Sequence, residues 1–107
     1  MKAILKKPNC KSELVEINDE LEELRQLVGG YIETIPYRDN IIILLDEEGR
    51  LKDSEDNIVV SKYGMLVGNI VFVGTKGEDF ISLTEYQIQE ILISFSLLKL
   101  SIVSIII

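Results

Sequence analysis

Six carboxylates crowd one stretch of the chain: Asp46, Glu47, Glu48, Asp53, Glu55 and Asp56. Clustered acids can hold a cation, share a proton in acid–base catalysis, or present a negative field to a basic partner. A calcium loop fails on spacing. Asp53-x-Glu55-x-Asn57 begins like one, but Ile58 stands where the sharp turn needs glycine and Gly64 where the bidentate glutamate belongs. Paired-carboxylate hydrolysis needs two acids held a set distance apart across a cleft, and neighbours on one turn carry no such constraint. What remains is a surface for a basic partner, such as the phosphate-binding channel of a nuclease, which long-range attraction would help it reach. The plain alternative is a solvated loop that keeps the protein soluble.

Other chemistry is excluded by what the chain lacks. Its 107 residues include no histidine and no tryptophan, so His-dependent triads and Cys/His zinc sites cannot be built. Cys10 is the sole cysteine. Lys7 and Lys11 flank it, but no histidine can serve as its base. Gly74-Thr75-Lys76-Gly77 has the G-x-x-G shape of a backbone-clamping RNA loop without that module's helices, and is expected to be a turn. Gly29-Gly30 follows a helix rather than a strand, the wrong order for phosphate binding at a helix N-terminus. The aromatics are scattered, which leaves a nucleotide-stacking platform unsupported. No enzymatic reaction, metal or cofactor is expected.

The elements that must position the acids follow from periodicity. Residues 2–7 read as a strand, Pro8–Lys11 as a turn, and the alternation in Ser12–Ile17 as a second strand completing a hairpin. Asn18 is the expected N-cap of a helix with Asp19 and Glu20 in its first turn. Leu21, Leu24, Leu27 and Val28 form its apolar stripe, and Gly29 ends it. Tyr31–Tyr37 reads as a strand that Pro36 marks as edge-like. Ile41–Leu45, apolar throughout, is the expected central strand. Asp46–Arg50 makes an acidic turn, Leu51–Asn57 a polar loop and Ile58–Val60 a brief strand. Met65–Val73 returns to strand character, with Gly68 a bulge or point of close approach. Ser82-Leu83-Thr84-Glu85 has capping-box spacing for a second helix. The fold class is α+β: a small mixed or antiparallel sheet of about five strands with two helices, in the order β-β-α-β-β-(loop)-β-α. One domain is expected over 1–107, with a core over 1–92 and a hydrophobic C-terminal extension over 93–107.

That extension is greasy nearly all round. The polar residues Gln87, Glu90, Ser94, Ser101 and Ser104 make one narrow stripe, and a helix otherwise apolar must be buried. A membrane span needs about 20 apolar residues, whereas the run from Ile91 has 17 with Lys99 in its middle. Homo-oligomer packing is the favoured reading, through Ile91, Leu92, Phe95, Leu98, Ile102 and Ile105. A third reading makes Ser101–Ile107 an added strand.

Charge is uneven: 18 acids against 11 bases give −7 overall. Residues 1–12 hold four lysines and no acid, residues 13–60 carry −10, and residues 61–107 carry −1. The acidity argues against tracking a nucleic-acid backbone. Met1–Asn9 lacks an apolar run of signal length, so the cytoplasm is the expected location.

At Val28-Gly29-Gly30-Tyr31-Ile32 the sequence resembles a small uncharacterised domain family carried by phages, plasmids and conjugative elements of Gram-positive bacteria. The Met1–Leu5 strand, Asp46-Glu47-Glu48-Gly49-Arg50-Leu51, Asn57, Val67-Gly68 followed by Phe72-Val73-Gly74, and Glu78-Asp79-Phe80-x-Ser82-Leu83-Thr84 extend the likeness over about residues 1–92. The resemblance implies no reaction. It implies a setting in which small acidic proteins counter host defence, including by inhibiting CRISPR effector nucleases, which hold guide and target in basic channels. The expected function is therefore a non-enzymatic inhibitor of such a nuclease. Asp46, Glu47, Glu48, Asp53, Glu55 and Asp56, with Glu20, Glu22 and Glu23 on the first helix, are its expected contacts with that basic partner. The rival readings are a module that sequesters a nucleotide-type immune signal near Tyr31 or Phe80, and an accessory protein of the element.

Overall fold

In the computed structural model, residues 1–61 and 64–106 are described, with side-chain surroundings for 1–59 and 64–95. The chain runs β1 (Lys2–Lys6), β2 (Glu13–Glu16), α1 (Leu21–Val28), β3 (Ile32–Arg38), β4 (Ile41–Asp46), β5 (Asp56–Ser61), β6 (Gly64–Val67), β7 (Ile70–Lys76), β8 (Asp79–Ile81) and α2 (Glu85–Ile106). Two helices and mostly antiparallel strands make this the expected α+β fold. The main sheet has the order β2-β1-β7-β4-β3, with β8 also paired to β7, and β5 and β6 form a separate two-stranded ribbon.

Period-two alternation sorts the main sheet's side chains into two cores. On one face Ala3, Leu5, Leu44, Val71 and Val73 are covered by Leu24 and Val28 of α1 and by Ile17. On the other, Ile4, Ile35, Ile41, Ile43, Leu45, Ile70 and Phe72 meet Ile88, Ile91 and Phe95 of α2 together with Val59 and Leu66 of the ribbon. Phe72 is fully buried at the centre of this second core, edge-on to Tyr37 at 5.2 Å and tilted against Phe95 at 5.8 Å.

Several sequence expectations shift. The central strand is β7, which pairs with β1 and β8 on one side and β4 on the other; Ile41–Leu45 lies one place from the edge. Met65–Val73 is two strands in two sheets, divided where Gly68 adopts φ +75°. Val59 and Leu66 of the ribbon cover sheet residues, so what reads as a polar loop and a short strand forms part of the second layer. Gly74–Gly77 is not all turn, because β7 continues to Lys76 and pairs with β8, a strand the sequence reading did not contain. Pro36 does lie on an edge strand, and Gly29 ends α1 in the left-handed region at φ +88°.

Both helices start two residues later than expected. Glu20, still extended, is the N-cap of α1, and Asn18 instead donates its backbone N–H to Glu23 Oε1 at 3.2 Å. In α2 the capping box is Thr84 with Gln87, whose side chains each accept the other's backbone N–H at 2.9 and 3.1 Å. Leu83 N–H donates to the Lys2 carbonyl and Lys2 N–H to Ser82 Oγ, both at 2.9 Å, which holds residues 82–83 extended beside β1.

The first part of the polar stripe on α2 meets the β3–β4 turn. Gln87 donates to the Asp39 carbonyl at 2.8 Å, and Arg38 pairs with Glu90 at 3.4 Å. Ile91 and Phe95 are buried in the chain's own core and Leu92 packs against it; Leu98, Ile102 and Ile105 lie outside the described side chains. The backbone stays helical through Ile106, so residues 101–106 add no strand. Among the described residues no helix is long and apolar enough to cross a membrane.

Candidate interaction surface

The acidic stretch divides into one structural carboxylate and a set of displayed ones. Asp46, the last residue of β4, is 7% exposed and its two oxygens are both used. Oδ1 accepts the Glu48 N–H at 2.9 Å, closing a turn on itself. Oδ2 pairs with Lys52 Nζ at 3.0 Å, and the same ammonium donates to the Gly29 carbonyl at 3.2 Å, at the end of α1. Asp46 therefore ties the loop to the helix and is buried, where the sequence reading has it on an exposed acidic turn. The reason is register: Asp46 lies opposite Ile32, on the face of β4 shared with the buried Leu44.

Lys52 is held protonated above the usual lysine range, chiefly by its hydrogen bond to Asp46. Coulombic attraction to Asp46 and Glu48 adds to this and desolvation opposes it. The ion pair lies directly against Gly30. A Cβ there would stand 2.6 Å from Asp46 Oδ1 and 2.8 Å from Lys52 Nζ, so the Gly29-Gly30 pair serves packing, with Gly29 turning the chain and Gly30 leaving room for the bracket.

The rest of the loop is laced by backbone bonds: Gly49 N–H to the Asp46 carbonyl, Lys52 N–H to Glu48, and Ser54 N–H to Gly49, all between 3.0 and 3.1 Å. Its far end is fixed by Asn57, which is 1% exposed. Asn57 Nδ2 donates to the carbonyls of Lys6 and Gly68, each at 2.9 Å, joining β5 to β1 and to the corner between β6 and β7. Gly68 N–H returns a bond to the Glu55 carbonyl at 2.8 Å. Between these anchors Glu47, Glu48, Asp53, Glu55 and Asp56 are all exposed. Glu55 is steadied by Asn9 Nδ2 at 3.0 Å.

The acids of α1 are a separate group. Glu20 and Glu22 are exposed and Glu23 is half-buried, at the helix start; Lys52 touches the other end, about 12 Å away at 1.5 Å rise per residue. Tyr31 is 59% exposed, with the Arg25 guanidinium 4.9 Å above its ring. Phe80 packs half-buried against the α1-side core. The roles of Gly30, Lys52 and Asn57 were not read from sequence. The close spacing of Asp46 and Lys52 across a turn is the signal that could have revealed the role of Lys52.

A cleft of about 170 Å³ borders the loop, lined by Glu33, Ile35, Leu45, Asp46, Glu47, Arg50, Leu51, Leu66 and Val67. Arg50 donates to the Met65 carbonyl.

Residues 1–96 match the model of a family described as a domain of unknown function, DUF3846, and the chain belongs to that family. No curated protein and no solved structure matches it.

Proposed function

We propose that this member of the DUF3846 family is a non-enzymatic binding protein, an inhibitor of host defence carried by a mobile element of Gram-positive bacteria. In this reading it occupies the basic channel of an RNA-guided nuclease. The observation that carries the reading is the anchored loop. Five exposed carboxylates stand between the Asp46–Lys52 bracket and Asn57, so their charge is displayed with little ordering left to do on binding. Such a surface competes for Lys/Arg groups that otherwise neutralise nucleic-acid phosphates. The nucleotide-sequestering alternative draws less support, because Arg25 covers a face of Tyr31 and Phe80 packs half-buried against the core. Self-association through the later turns of α2, beyond the core residue Phe95, belongs to the same proposal.

The test is the triple reversal Glu48→Lys, Glu55→Lys and Asp56→Lys, which leaves Asp46 and the bracket in place. Binding to a basic CRISPR effector nuclease, measured by titration calorimetry on protein first sized by light scattering, should be lost while the far-UV spectrum is kept. Binding undiminished by the triple reversal would remove the acidic loop from the account.

A further inference from the structure

The cleft beside the acidic loop is built differently from the loop itself. Glu33 and Leu45 are directly opposite in the β3–β4 register, and Glu47 N–H donates to the Tyr31 carbonyl at 2.9 Å. Glu33 and Glu47 are thus diagonal neighbours, about 7–8 Å apart at the backbone. Ile35 and Leu45 form a buried floor between the strands, and Leu66 and Val67 of β6 form a buried wall. Leu51, 85% exposed, stands at the rim.

Charge in the cleft is unbalanced. Asp46 is matched by Lys52, and Arg50 is turned toward the Met65 carbonyl. Glu33 and Glu47 have no ion pair among the described residues. Size narrows the occupant further. At about 170 Å³ the cleft is below the roughly 300 Å³ at which small-molecule sites begin, but a single long side chain fits.

We infer that this cleft receives one arginine side chain from a basic protein partner. The inference rests on the reading of the chain as a binder of basic surfaces. An aliphatic stem lies along Ile35, Leu45 and Leu66, and the planar guanidinium, with five donors, reaches Glu33 and Glu47 together. Lysine, a compact and strongly hydrated point charge, satisfies only one carboxylate well. The exposed carboxylates of the loop then supply attraction, and the cleft supplies register.

The probe is a capped Gly-Arg-Gly peptide titrated into the full chain and followed by methyl NMR. The same peptide carrying citrulline, which keeps the shape without the charge, is the control. Expected are shifts concentrated at Ile35, Leu45, Leu51 and Leu66, affinity at least tenfold weaker for citrulline, and a similar loss in Glu33→Gln/Glu47→Gln. Glu78→Gln/Asp79→Asn removes equal charge at the exposed β7–β8 turn and should change affinity less than twofold. Equal weakening by both double variants, or shifts absent from the cleft methyls, would overturn the inference. Its failure is separable from that of the broader reading. A nuclease bound through the loop but indifferent to Glu33→Gln/Glu47→Gln sinks the cleft alone; arginine seated in the cleft with no nuclease bound sinks the target and leaves the cleft.

Discussion

At Gly30 the absence of a side chain decides how the acidic loop is held. Adding a methyl group places carbon 2.6 Å from Asp46 Oδ1 and 2.9 Å from Asp46 Cγ. Lys52 can swing away, but Asp46 is short and also accepts the Glu48 N–H, so the bracket must open. Gly30→Ala should cost about 1–3 kcal/mol, the usual scale of overpacking, read as a lower urea midpoint at unchanged slope. Lys52 supplies a second prediction at this scale, with a definite sign. Its folded pKa is raised, first by the bond to Asp46. Its contribution is therefore complete below the unfolded lysine value and is lost as pH rises through the folded one. The stability difference between the native chain and Lys52→Met should stay constant from neutral pH into the mildly alkaline range and shrink beyond the lysine range, as paired urea titrations would show. Sequence reading counted Asp46 among the displayed acids because composition does not report which side of a strand a terminal residue faces. That followed only from its register opposite Ile32.

Among the elements, the β5–β6 ribbon was the hardest to anticipate and matters most to the surface. Its apolar residues come in two short runs, Ile58–Val60 and Met65–Val67. Val59 and Leu66 are buried against the main sheet, and Asn57 supplies the polar tie to Lys6 and Gly68. Asn57→Ala leaves two carbonyls without their donor in a buried place, which should cost about 1–3 kcal/mol and speed hydrogen exchange across Asp56–Val67 before the main sheet responds. The hairpin β1–β2, the edge strand β3 and the end of α1 were legible because alternation, a proline and a glycine each act locally. Helix starts were not. Ser82-x-x-Glu85 and Thr84-x-x-Gln87 both satisfy capping-box spacing, and the choice fell to a distant contact, the pairing of Lys2 with residues 82 and 83. The central strand was missed for a similar reason. Ile41–Leu45 and Ile70–Val73 are equally apolar runs, and only the sheet order places the second between β1 and β4.

For the whole molecule, the uneven charge acquires a shape. The acids of residues 13–60 are densest at the start of α1 and in the loop after β4, while the apolar end of the sequence begins as a covering layer, with Ile88, Ile91 and Phe95 in the core. Candidate contacts were legible as a cluster in the sequence, but their division into anchors and displayed groups was a product of tertiary packing. A surface that works by charge obeys screening: the Debye length is about 10 Å at 0.1 M salt, and steered association exceeds the unsteered rate by roughly 10- to 1,000-fold. The most direct test is the association rate constant with a basic CRISPR effector nuclease, measured by stopped flow as salt rises from about 0.05 to about 0.5 M, a range over which screening shortens severalfold in reach. The rate for the native chain should fall by at least tenfold across that range, and the Glu48→Lys/Glu55→Lys/Asp56→Lys variant should show no such fall. Association at the same rate throughout, in both proteins, would contradict an inhibitor that acts through its acidic loop.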